Sequence, residues 1–126
     1  MKDTNKKTER TSFSVNKRLL EEVKEKILKR INKSASDPEV IRQIIASLPM
    51  PQVDKLVDDP GIKEILNHTY KGKDCSITVR ISHEDRTTLE KLSAAKSLSM
   101  NGLISNAMVV NLYSEDEIAV YLRQLK

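Results

Sequence analysis

A single cysteine, Cys75, leaves this 126-residue chain without the means for an internal disulfide framework. Aromatic residues are nearly as scarce: no Trp, one Phe and three Tyr. That excludes the rows of stacking rings on which single-stranded nucleic acids are held. No apolar run reaches the length of a membrane-spanning helix, and MKDTNKKTER lacks the apolar centre of a signal peptide. A cytoplasmic protein with no membrane attachment is expected. No Gly-rich phosphate loop, Ser/His/Asp order or carboxylate pair stands out, so neither enzymatic activity nor a cofactor is expected. His68 and His83 have no second His or Cys at metal-ligand spacing. His83 reads as a polar first-turn residue and Cys75 as a small residue at a strand edge.

What the chain does have is charge and helical pattern. Charged residues make up 32% of it, with a net charge of +4. The excess is uneven: residues 1–48 hold twelve Lys/Arg against seven Asp/Glu, whereas 49–74, 75–113 and 114–126 balance to −1, +1 and −1. A basic field of this kind draws polyanions, although a merely solvated surface would carry the same charge. The length suits one compact domain, or two small units sharing a core.

Five segments follow from the pattern. Residues 1–10 read as a flexible basic arm. In 11–48, Phe13 and Val15 alternate with Ser12 and Ser14 in a short strand, and Asn16 is a good helix cap. Leu20, Val23, Ile27 and Ile31 then fall at helical spacing, with Glu22–Lys26 as a favourable surface pair. Ser36-Asp37-Pro38-Glu39 opens a second helix through a capping box. Its apolar stripe is Val40, Ile41, Ile44, Ile45 and Leu48, ended by Pro49 and Pro51. The connector 49–74 holds two weakly helical stretches split at Asp59-Pro60-Gly61. Its residues Val53, Leu56, Val57, Ile62, Ile65 and Leu66 are expected to pack on the body. In 75–113, Ile77, Val79 and Ile81 share one face of a strand while Ser76, Thr78 and Arg80 share the other. Ser82 caps a helix with Glu84 and Asp85 in its first turn and Leu89, Leu92 and Ala95 on its inner face. The next helix starts at Ser99 or Asn101 and carries Leu103, Ile104, Ala107, Met108 and Leu112. A C-terminal helix over 114–126 places Ile118, Tyr121, Leu122 and Leu125 on one side.

The segments 11–48 and 76–113 therefore share one order: strand, helix, Ser-capped helix. The second copy resembles the ribbon-helix-helix DNA-binding motif of the Arc, MetJ and CopG type. The residues that carry the resemblance are Thr78-Val79-Arg80-Ile81 in the strand, Leu89-Glu90-Lys91-Leu92 in the first helix and Leu98-Ser99 at the turn. Leu103-Ile104 with Ala107 carry it in the second helix. Residues 11–48 are similar to the motif more loosely, with Asn16-Lys17 in place of a further strand residue and a longer turn.

The resemblance implies a mainly α fold with a two-stranded antiparallel β-ribbon, formed here as an intramolecular pseudo-dimer by two tandem motifs. Relaxosome accessory proteins of conjugative plasmids are similar in carrying two copies. It further implies a sequence-specific double-stranded DNA-binding protein, either a transcriptional repressor or a plasmid conjugation factor. A two-stranded ribbon fits the major groove. Base contacts are expected from Ser76, Thr78, Arg80, Arg10, Ser12 and Ser14. Phosphate contacts are expected from Ser99, Met100, Asn101, Ser36, Lys17 and Arg18. Because the two strands differ, the DNA site should have unlike halves. The rival expectation is an antitoxin-like protein-interaction module, in which the C-terminal helix engages a protein partner or supports self-association on DNA.

Overall fold

Two eight-residue strands, Thr8–Val15 (β1) and Cys75–Ser82 (β2), pair antiparallel to form the only sheet among the described residues. The computed structural model of the protein describes residues 8–31 and 35–124. The ladder runs from Thr8 opposite Ser82 to Val15 opposite Cys75. Alternation decides the faces. Phe13, Val15, Ile77, Val79 and Ile81 are buried beneath the ribbon, and the residues between them point outward.

Seven helices complete the described chain: α1 (Lys17–Ile31), α2 (Asp37–Ser47), α3 (Pro51–Leu56), α4 (Pro60–Thr69), α5 (His83–Lys96), α6 (Met100–Leu112) and α7 (Glu115–Gln124). The protein is thus mainly α with a two-stranded ribbon, and its strand–helix–helix order occurs twice. The two copies are intertwined: α2 packs against β2 and α6 against β1, so each second helix lies under the other unit's strand. A lone unit would leave these faces in water, so each unit's apolar surface is buried by the other.

The helix ends obey local chemistry. Ser36, Ser82 and Ser99 each accept the N–H three residues on, from Glu39, Asp85 and Gly102, which places the start of α6 at Ser99 rather than Asn101. The Ser36 box is only half made, because the Glu39 carboxylate turns to Arg42 at 2.8 Å. Ser114 and Glu117 close a reciprocal box at α7, with bonds of 2.8 and 3.1 Å. Those bonds hold the Glu117 carboxyl below its ordinary range. Pro51 and Pro60 open α3 and α4, where their missing N–H groups cost nothing.

Several expectations need correction. Thr8, Glu9 and Arg10 belong to β1 and not to a flexible arm, because β2 is long enough to pair with them and Arg86 on α5 holds Glu9 at 2.5 Å. Residues 1–7 of that arm lie outside the described residues, as do the side chains of Ile31 and Leu122 and the whole of Leu125. Glu22 is taken by Arg18 at 3.0 Å and by the Tyr70 hydroxyl at 2.6 Å, not by Lys26. Leu19 is as buried as Leu20, since α1 is covered on two sides by α2 and α6. Ala95 is exposed, because α5 meets the body along a narrow strip centred on Leu89. Helix α6 goes the other way: everything from Leu103 to Val109 is buried, including Ser105 and Asn106. It is surrounded by α1, α2, α3, α4, α5 and β1. Asn106 escapes an unpaired burial by donating to the Val57 carbonyl at 2.8 Å.

Two polar groups tie the units together. Asn16 accepts from the Leu19 N–H at 2.9 Å and donates to the carbonyls of Lys71 and Gly72 at 2.8 and 3.2 Å. It joins the β1–α1 corner to the turn that feeds β2. Asn16→Ala removes a cap and the link to the Lys71 and Gly72 carbonyls, and should cost about 0.5–2 kcal/mol in urea unfolding. The buried Tyr70 hydroxyl donates to Glu22 and lies 3.1 Å from the Tyr113 hydroxyl. Burial, then the carboxylate, push its pKa well above the ordinary tyrosine value. A folded pKa raised above the unfolded one means the stabilisation is complete below about pH 10 and fades as pH rises past it. Thermal melts from about pH 9 to about pH 11 should fall more steeply for the native chain than for Tyr70→Phe.

Candidate nucleic-acid interface

The outward face of the ribbon is built from four cross-strand pairs: Thr8–Ser82, Arg10–Arg80, Ser12–Thr78 and Ser14–Ser76. It therefore presents two guanidiniums and six hydroxyls, without a carboxylate. Arg10, Ser12, Ser76, Thr78 and Arg80 are exposed, and Ser14 and Ser82 are half-buried. The Ser12 and Thr78 hydroxyls lie 2.9 Å apart at the middle of the row. All six expected base-contacting residues thus fall on one surface. The sequence reading missed Thr8 and Ser82 at its ends, although both share the parity of the residues it chose.

The rigidity of this surface comes from below. Its inward partners Phe13, Val15, Ile77, Val79 and Ile81 sit in the core, so the strand twist and register are fixed by packing. Its edges are covered as well. The Ser14 N–H donates to Asn101 Oδ1 at 3.1 Å, and Arg42 Nε donates to the Arg80 carbonyl at 3.3 Å. Covered edges prevent further strand addition. The same two bonds place the start of α6 beside the Ser14–Ser76 end of the ribbon and α2 beside the Arg80 end.

The expected phosphate contacts divide. At α6, Ser99 is exposed, Met100 and Asn101 are half-buried, and the first turn carries no acidic residue. Gly102 fits tightly there: a Cβ would stand 3.1 Å from Ser99 Oγ. The Asn101 side chain is engaged at the ribbon edge, where its Oδ1 accepts from the Ser14 N–H. At α2, Ser36 is followed by Asp37 and Glu39, both in the first turn. Lys24 binds Asp37 at 3.1 Å and Arg42 binds Glu39, so this end is less open to phosphate. Lys17 is exposed, with its N–H donating to Asp74 Oδ1 at 2.9 Å. Arg18 is engaged in the fold: it pairs with Glu22, reaches the Thr69 carbonyl at 3.5 Å and lies 5.6 Å from the Tyr70 ring centroid. It clamps α1 to α4.

Arg42 is a residue that sequence reasoning did not select. Its helical position gave no sign that it would reach the strand of the other unit. Among the described residues no three His, Cys, Asp or Glu side chains gather as a metal site, and no helix is long and apolar enough to cross a membrane. No family model, no curated protein and no solved structure matches the chain.

Proposed function

We propose that the protein binds double-stranded DNA by laying the β1–β2 ribbon in the major groove. One observation carries this reading: a two-stranded surface, closed on its inner side by the core, offers two arginines and six hydroxyls and no carboxylate. Arginine pairs bidentately with guanine O6 and N7, and serine and threonine serve several bases. The start of α6 and Lys17 supply phosphate contacts that fix register. The intertwined units agree with the ribbon-helix-helix resemblance, with both motifs in one chain. A cytoplasmic repressor or plasmid conjugation factor is the role that follows.

The rival role is an antitoxin-like partner module working through the C-terminal helix. Against it, α7 is already engaged: Ile118 is buried on α4 beside Gly61, and Glu115 pairs with Lys55 at 3.1 Å.

The test is a gel shift on random duplex DNA at rising salt. Retardation should weaken with a log–log slope of about −0.9 per phosphate contact. Absence of any shift at about 50 mM salt would remove the reading.

A further inference from the structure

The two arginines of the ribbon lie at the same end of it, and that placement breaks the symmetry of the repeat. Ser12 stands four residues before the cap Asn16, and Thr78 four before the cap Ser82. These equivalent residues are paired in the ladder, so the local two-fold relating the units passes between them. That axis exchanges Arg10 with Ser76 and Arg80 with Ser14. In a symmetric ribbon an arginine on one side of the axis would have its copy on the other. Here Arg10 and Arg80 come from different units and non-equivalent positions, yet face each other directly across the strands.

Like charges directly opposite on a sheet face repel. Nothing among the described residues neutralises this pair: Glu9 is held by Arg86 on the inner side, and Glu39 is held by Arg42. The opposite end, Ser14–Ser76, carries hydroxyls only, with the acid-free start of α6 beside it.

We propose, on the DNA-binding reading above, that the Arg10–Arg80 end reads two neighbouring guanines while the Ser14–Ser76 end requires none. The protein then sits on DNA in one orientation, on a site with guanines in one half. Guanine offers two acceptors to each guanidinium, and two of them relieve the repulsion that the free ribbon contains.

The experiment is selection of bound duplexes from a random pool, run on the native chain, on Arg80→Ala, on Arg10→Ser, and on Arg10→Ser with Ser14→Arg. The double variant makes the outward residues of the two units nearly alike. For the native chain a one-sided guanine site is expected. Arg80→Ala should weaken that site about 5- to 150-fold, and Arg10→Ser should reduce the guanine requirement from two to one. The double variant should select a site with guanine in both halves, related by a two-fold. All substitutions are on the outward face, and thermal melts at or above the native midpoint are expected for Arg80→Ala and Arg10→Ser. Should the double variant fail to fold, the one-guanine outcome for Arg10→Ser still decides. A native site with guanines in both halves, or a double-variant site still one-sided, overturns the inference and leaves DNA binding standing. Failure of the native chain to retain any duplex overturns both.

Discussion

Thr78→Ala combined with Arg80→Ala should weaken selective DNA binding strongly and leave the fold intact. Both side chains point away from the core. The bond between Arg42 and residue 80 uses the backbone carbonyl, so it survives the substitution. Within the protein the double substitution breaks the exposed Ser12–Thr78 hydroxyl pair, worth about 0.2–1 kcal/mol. Removing Arg80 from opposite Arg10 returns a similar amount, and the melting midpoint should barely move. Binding responds differently. A bidentate arginine–guanine contact contributes about 1–3 kcal/mol of discrimination, and removal of the threonine adds to it. The expected result is a fall of roughly 10- to 1,000-fold on the selected site, with the salt slope nearly unchanged, because the proposed phosphate contacts lie elsewhere. Fluorescence anisotropy on selected and random duplexes would measure both. Unchanged affinity for the selected site would show that the ribbon does not read bases.

Ile104→Ala has the opposite profile. Ile104 is wholly buried in α6, the helix that touches both units and the connector. Truncation leaves a cavity in the helix that packs on α1 to α5 and on β1, and such changes cost about 2–5 kcal/mol. Domain stabilities are only about 5–15 kcal/mol, so a large share would go. Urea unfolding should shift accordingly, and DNA affinity at low urea should drop only by the unfolded fraction. Because both units lie in one chain, the midpoint should not depend on protein concentration. A destabilisation below about 1 kcal/mol would mean that α6 is not the centre of the core.

Features set within a single element could be read from residues alone. The period-two run Ile77–Val79–Ile81 and the stripe Val40–Ile41–Ile44–Ile45 follow from geometry within one element, and both appear as expected. The serine caps are equally local. The two short connector helices also form as read, although Pro51 and Pro60, read as breaks, turn out to open them. The reading failed where a partner element decides. The length of β1 depends on β2, the burial of Asn106 and Leu19 depends on how α6 is surrounded, and the roles of Glu22 and Arg18 depend on Tyr70. The candidate surface was legible in its outward residues. Its polarity was not, because only the ladder register sets Arg10 opposite Arg80.

That register makes the central claim accessible to a groove-specific measurement: methylation interference on a selected duplex. Guanine N7 lies in the major groove and adenine N3 in the minor groove. Binding of the ribbon predicts strong interference from guanine N7 methylation and none from adenine N3 methylation across the central base pairs. Interference from adenine N3 alone would place the protein in the minor groove and contradict the ribbon as the reading surface.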